Sequence, residues 1–260
     1  MTDMMQDWNI LSPAEEGFHE VIGPQSGVCR AIRFFRLNLG GSRRHTLSST
    51  DLEMNAVLVS GSARFRSERL SGRMDKLDSF YLPAGVRAEI EAESDSIFYI
   101  PSAPYEGIGA EFFRKYQTGL PEGEIYQVHG KGASRREVFF TVNPEVPASR
   151  LICGYAFGGE GSWTSWPPHD HGDHLEEVYC YFDMPAPRLG VHFSYLEPGG
   201  ILSGVGHLVR DGHVVLIPRG YHPTVAIPGG RNTYLWAMAS LSHSSRRYDL
   251  AVKDPCFTDF

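Results

Sequence analysis

Two stretches of this chain share one shape, and together they restrict its fold more than any other feature. Asp78-Ser79-Phe80-Tyr81-Leu82-Pro83-Ala84-Gly85-Val86-Arg87 and Gly212-His213-Val214-Val215-Leu216-Ile217-Pro218-Arg219-Gly220-Tyr221-His222 each read as a strand, a Pro-x-Gly turn and a second strand. Proline fixes one turn position and offers no N–H, while glycine supplies the positive φ of a sharp reversal. A pattern that recurs once in each half predicts two copies of one β-sandwich. The 260 residues are enough for two compact units. Pro121-Glu122-Gly123 and Gly130-Lys131-Gly132 look like linker material between a unit over 1–125 and another over 126–260.

The rest of the chain agrees with an all-β reading. Short segments rich in β-branched and aromatic residues predict strands over Val28–Leu39, Asn55–Phe65, Ser79–Leu82, Ser96–Ile100 and Val138–Val142, then over Glu177–Phe182, Gly190–Leu196, His213–Ile217 and Asn232–Ala239. Glu111–Tyr116 reads as a short helical turn. A net charge of -7 excludes a nucleic-acid partner of the phosphate-binding kind, and Arg43-Arg44 and Arg135-Arg136 are too short to offset it. The four cysteines form no CxxC pair and are expected as reduced, mostly buried thiols. Met1-Thr2-Asp3-Met4-Met5-Gln6-Asp7 has no basic and apolar leader pattern, and no membrane span is apparent, so a cytoplasmic protein is expected.

The chemistry concentrates in Pro167-Pro168-His169-Asp170-His171-Gly172-Asp173-His174-Leu175-Glu176-Glu177-Val178-Tyr179. Histidines at i and i+2 of an extended segment point the same way, so His169 and His171 can reach one ion. Alone, such a pair more often decorates a polar loop. Here a carboxylate opens the next strand, and the later Pro-x-Gly turn delivers His222. Three imidazoles and one carboxylate suit a divalent metal such as Zn, Mn, Fe, Co or Ni. Either glutamate can be the ligand. If Glu177 faces inward, so do Tyr179 and Tyr181; if Glu176 does, Val178, Cys180 and Phe182 line the interior. His174 is a candidate for substrate contact, whereas His192, His207 and His213 read as structural. In the first half Gly85-Val86-Arg87 stands where the ligand histidine stands later, and only His45 and Glu53 lie upstream, so that unit is expected to bind no metal.

The run Gly158-Gly159-Glu160-Gly161-Ser162-Trp163-Thr164-Ser165-Trp166-Pro167-Pro168-His169-Asp170-His171, with Leu175-Glu176-Glu177-Val178-Tyr179 and Val214-Val215-Leu216-Ile217-Pro218-Arg219-Gly220-Tyr221-His222-Pro223, resembles the uronate isomerase branch of the cupins over nearly the whole chain. The resemblance implies a bicupin fold of two double-stranded β-helix (jelly-roll) domains. It also implies a metal, zinc first, held by His169, His171, Glu177 and His222. The implied reaction is the aldose–ketose interconversion of 5-deoxy-glucuronate with 5-dehydro-2-deoxy-gluconate in inositol catabolism, with the pectin-derived 5-keto-4-deoxyuronate as the alternative substrate. On that basis Glu176, Tyr179 and Tyr221 are candidate proton-transfer groups. Arg219 and Arg231 are candidates for the substrate carboxylate, and Tyr181 for the sugar. A cupin dioxygenase using iron in the same cage and a non-catalytic sugar-binding cupin are the competing readings. Exposed sheet edges leave room for a homodimer.

Overall fold

The computed structural model describes residues 5–26, 28–197 and 201–257, and strands dominate it. The segment Met1–Met4 read above lies outside the described residues. In the N-terminal half a six-stranded sheet, in the order Phe112–Arg114, Ser79–Leu82, Leu52–Ser60, Ser96–Pro104, Arg33–Leu39 and Gly17–Ile22, is accompanied by a four-stranded one running Arg44–Ser48, Arg87–Ala92, Ala63–Arg66 and Ser71–Met74. In the C-terminal half a seven-stranded sheet runs Asn9–Leu11, His213–Ile217, Leu175–Tyr181, Arg231–Ser240, Leu151–Glu160, Arg136–Val142 and Tyr126–His129. A four-stranded sheet of Trp163–Thr164, Thr224–Ala226, Gly190–Leu196 and Ser203–Val209 completes it.

Period-two alternation builds the cores. Phe35, Leu37, Leu58, Phe80 and Phe98 fill the first sandwich. Their sequence neighbours Phe34, Val57, Tyr81 and Tyr99 face the other way and join Cys153, Tyr155, Val178, Cys180 and Leu235 in a shared core between the halves. Hydrogen bonds cross this seam, among them Tyr99 Oη to the Tyr181 carbonyl (3.1 Å) and Asn55 Nδ2 to Thr141 Oγ1 (2.7 Å).

Two carboxylates also cross it, in reciprocal directions. Glu53 reaches into the C-terminal half and accepts the backbone N–H groups of Ser149, Arg150 and Leu151 (2.8, 2.6 and 2.7 Å) and the Tyr81 hydroxyl. Glu176 reaches back and accepts those of Arg30, Ala31 and Ile32 (2.7, 2.7 and 3.2 Å). Each glutamate lies at the start of a central strand, and each holds the three residues at the entry of a long strand in the opposite half.

Several expectations change for identifiable reasons. Asn9–Leu11 pairs with His213–Ile217, so these N-terminal residues belong to the second sandwich, where they cover an edge. The expected strand Val28–Leu39 starts only at Arg33, because the amides of residues 30–32 are taken by Glu176. Asn55–Phe65 is two strands separated at Gly61, where φ is 89° and an added Cβ would lie 2.3 Å from the Asp95 carbonyl, leaving no room for a side chain. Glu111–Tyr116 contains no helical turn: Phe112–Arg114 is an edge strand, with Phe112 stacked on Tyr81. The stretch Gly130-Lys131-Gly132, expected as linker, lies in the connection of the hairpin joining Tyr126–His129 to Arg136–Val142.

Candidate metal centre

The strand Leu175–Tyr181 decides between the two glutamates. Val178 and Cys180 face the seam, and Glu176 shares that parity; Tyr179 and Tyr181 face the interior of the C-terminal sandwich, and Glu177 shares theirs. Glu177 pairs in register with Ile217, at the end of the strand that leads into the Pro-x-Gly turn. That turn needs glycine at position 220: its φ is 91°, and a Cβ would lie 2.8 Å from the Tyr195 carbonyl. His169 sits on the two-residue strand His169–Asp170, paired with Val252–Lys253. Asp170 Oδ1 accepts the N–H of Gly172 and that of Gly220, both at 2.8 Å, and so ties the His-x-His loop to the turn carrying His222.

One ligand atom from each of His169, His171, Glu177 and His222 lies within 4.8 Å of the others. The ring nitrogens suit a metal ion. His169 Nδ1 is 3.0 Å from the Pro167 carbonyl and His222 Nδ1 is 2.8 Å from that of Gly220, a pairing that puts the proton on Nδ1 and leaves Nε2 for the centre. His222 Nε2 is fully buried without a hydrogen-bond partner, 3.1 Å from Glu177 Oε2. His171 Nε2 is also 3.1 Å from that oxygen. A buried polar atom left unpaired is costly, and a cation at this point would satisfy it.

Protonation favours the same use. Burial alone would raise the Glu177 carboxyl, but the adjacent His171 and His222 imidazoles outweigh it and hold the group at about 2. Burial, with the neighbouring His222 and His171, pushes His169 well below the ordinary imidazole value. Both groups therefore bind protons more tightly in the unfolded chain, and acid opposes folding. In metal-free protein the His169 contribution is lost as pH falls below about 6.5, and the Glu177 contribution as it falls from about 4.5 to about 2. Thermal melts across that range are expected to show the melting temperature falling with acidification. A flat profile from pH 6.5 down to 4.5 would contradict the His169 assignment.

The cluster opens on a cavity of about 740 Å³ lined also by Tyr179, Trp166, His129, Lys131, Arg136 and Lys253. Tyr179 stacks on Tyr234 at 4.3 Å and lies edge-on to His222 at 5.8 Å between ring centroids. Burial and the Glu177 charge push its phenol well up, so it is a protonated donor.

The other expected site residues are placed elsewhere. Glu176 is spent on the seam and is no proton-transfer group for this cavity. Tyr221 alternates away from His222, stacks on Tyr195 at 5.0 Å and does not line the cavity. Arg219 is exposed on the turn, and Arg231 is exposed at the start of its strand, seven positions from Met238, which pairs with Glu177; that is about 23 Å along an extended chain. Tyr181 is buried behind the cavity, its hydroxyl between His192 Nδ1 (2.9 Å) and Thr224 Oγ1 (3.0 Å). His174 does not line the cavity, whereas His129 does. In the first half Met54, buried in the apolar core, follows Glu53 as Glu177 follows Glu176, so that sandwich has no inward carboxylate there.

A two-sandwich β-chain in which a His-x-His pair, a strand-opening glutamate and a turn histidine converge inside one sandwich has the architecture and site of a cupin. A solved oxalate decarboxylase from Bacillus subtilis shares the fold, with a TM-score of 0.62 at 12% identity over 90% of this chain and 78% of that one. A solved IolB-like protein from Salmonella typhimurium LT2 is nearer, with a TM-score of 0.83 at 24% identity over 96% of this chain and 98% of that one. A Geobacillus kaustophilus protein named 5-deoxy-glucuronate isomerase is 31% identical over 247 residues, which is 88% of this chain and 86% of the relative. The KduI/IolB family model matches residues 11–256, and the chain belongs to that family.

Proposed function

We propose that this chain is a metal-dependent aldose–ketose isomerase that interconverts 5-deoxy-glucuronate and 5-dehydro-2-deoxy-gluconate. The observation that carries the reading is the convergence of three imidazoles and one carboxylate at the floor of a sugar-sized cavity, in a chain so similar to a protein of that name. His169, His171, Glu177 and His222 would hold the ion, zinc first, with Mn, Fe, Co or Ni compatible with the same donors. A divalent ion there polarises the substrate carbonyl and steadies the charge that develops on its oxygen as hydrogen moves between neighbouring carbons.

The chain supplies the rest. Asp170 fixes the two ligand-bearing loops to each other, so the donor atoms are set before substrate arrives. Tyr179 lines the cavity with its ring edge-on to His222, and its phenol would hydrogen-bond a substrate oxygen and pass a proton at Oη. Trp166 and Tyr234 would give the carbon chain of the open sugar apolar surface to lie against.

The test is incubation of metal-loaded protein with 5-deoxy-glucuronate, following ketose signals by NMR beside a chelator-treated control. Conversion only in the loaded sample is expected. Loaded protein that leaves the sugar unchanged removes this substrate, and the pectin-derived ketouronate is then the next to try. Tyr179→Phe is expected to lower kcat by about 100-fold with little change in KM, the signature of a proton-transfer group. Unchanged kcat would remove Tyr179 from the reaction.

A further inference from the structure

We infer that Arg136 is the group that binds the carboxylate of an acidic sugar in this cavity, with Lys131 and Lys253 supplying the positive field at its mouth; the assignment deepens the isomerase reading and rests on it. The argument begins with charge. The chain carries a net charge of -7, and several of its arginines are held by carboxylates: Arg43 by Glu16, Arg64 and Arg73 by Glu93, Arg150 by Glu106. The cavity is different. Three cations line it, none of them in an ion pair among the described residues, and its one lining carboxylate is Glu177, turned toward the histidines. A surface that is acidic overall yet gathers unpaired cations around one concave site is shaped for an anion.

Among the three, Arg136 is the one fixed in place. It is half-buried and opens the strand Arg136–Val142, directly opposite His129 across the hairpin. Its Nη1 donates to the Trp166 carbonyl at 2.9 Å and, more weakly, to that of Ser134 at 3.4 Å. Both bonds use one terminal nitrogen. They set the guanidinium plane and leave the Nε and Nη2 donors for a planar partner, which a carboxylate matches with two parallel hydrogen bonds. Lys131 and Lys253 are exposed, point charges on flexible stems, suited to attraction more than to orientation. The Arg136 to Trp166 bond also ties this group to the segment that leads directly into His169. Carboxylate and metal would then hold opposite ends of one open-chain sugar acid, fixing which carbon faces the ion.

The arrangement makes a measurable distinction between an acid and its neutral isostere. Metal-loaded protein is titrated calorimetrically with D-glucuronate and with D-glucuronamide, for the native chain and for Arg136→Gln, Arg136→Lys and Lys253→Gln, with metal content checked in each. The native protein is expected to favour the acid. Arg136→Gln should weaken glucuronate by about 10–100-fold, the range of a charge-assisted pair, and leave the amide nearly unchanged. Arg136→Lys should restore part of the preference, and Lys253→Gln should cost only a few-fold, an effect that fades in salt. Equal weakening of acid and amide by Arg136→Gln, or a loss of metal with it, would show that Arg136 merely supports the Trp166 segment and would overturn the proposal. A native protein indifferent to acid and amide would overturn it as well. Arg136-dependent binding without ketose formation from 5-deoxy-glucuronate would instead leave the carboxylate site standing and remove the isomerase reading.

Discussion

Replacing Glu177 with glutamine is expected to leave the protein folded, strip it of metal and reduce turnover of 5-deoxy-glucuronate by more than about 100-fold. The substitution preserves volume and shape, so the cavity it borders need not collapse. What it removes is the single negative charge facing three imidazoles, together with the oxygen that lies 3.1 Å from both His171 and His222. Even an outer partner of a metal ligand typically contributes about 10–100-fold to affinity or activity, and a ligand lost outright contributes more. Folding is a separate matter. The neutral isostere relieves the desolvation that opposed burying the charge but forfeits the interaction with His171 and His222 that holds this carboxyl low, so the metal-free variant is expected to melt below the native protein while staying folded. Elemental analysis after gel filtration gives the occupancy, and thermal melting of the metal-free forms gives the stability. A Glu177→Gln protein that keeps a full complement of metal would contradict the ligand set.

Much of this centre was legible in the sequence because local geometry fixes it. The His-x-His spacing on an extended segment puts His169 and His171 on one side, and the Pro-x-Gly turn can reverse only one way before His222. The choice between Glu176 and Glu177 was open to parity, and the aromatic alternation of Tyr179 and Tyr181 carried the answer once the interior was known to be polar-lined. Other features depend on contacts that no local pattern encodes. Lys131 lies in a glycine-flanked stretch that reads as linker, yet the hairpin around it brings it to the cavity mouth. Lys253 arrives there because Val252–Lys253 pairs with His169–Asp170, a register between segments far apart in the chain. Arg219 and Arg231 had the right chemistry and the wrong place: one faces out of a turn, and the other begins the strand whose far end carries Met238. The expected strand over Val28–Leu39 begins only at Arg33 for a long-range reason too, since a glutamate from the other half takes the amides of residues 30–32.

That glutamate gives the second large effect, and it is the opposite of the first. Glu176→Ala is expected to lower stability by about 3–5 kcal/mol while leaving the metal affinity of the remaining folded protein nearly unchanged. Its carboxylate accepts three successive backbone N–H groups, those of Ala31 and Ile32 in buried surroundings, and alanine offers them nothing. The Arg30 contact at 3.5 Å adds little, because that guanidinium is largely solvent-exposed. Glu53→Ala should cost a similar amount through Ser149, Arg150 and Leu151, and would also leave the Tyr81 hydroxyl without its acceptor. For a chain of this size the loss corresponds to a fall of about 10 °C in melting temperature. If the two carboxylates act as reciprocal latches across one seam, either loss should loosen the contact between the sandwiches first. Hydrogen exchange is then expected to rise at residues 30–32 in Glu176→Ala and at 149–151 in Glu53→Ala, ahead of the strands within each half. Adjacent glutamates thus separate two duties by the pleat of one strand, with Glu176 joining the halves and Glu177 facing the chemistry. A Glu176→Ala protein with native stability, or one that loses its metal as Glu177→Gln does, would show that this division is wrong.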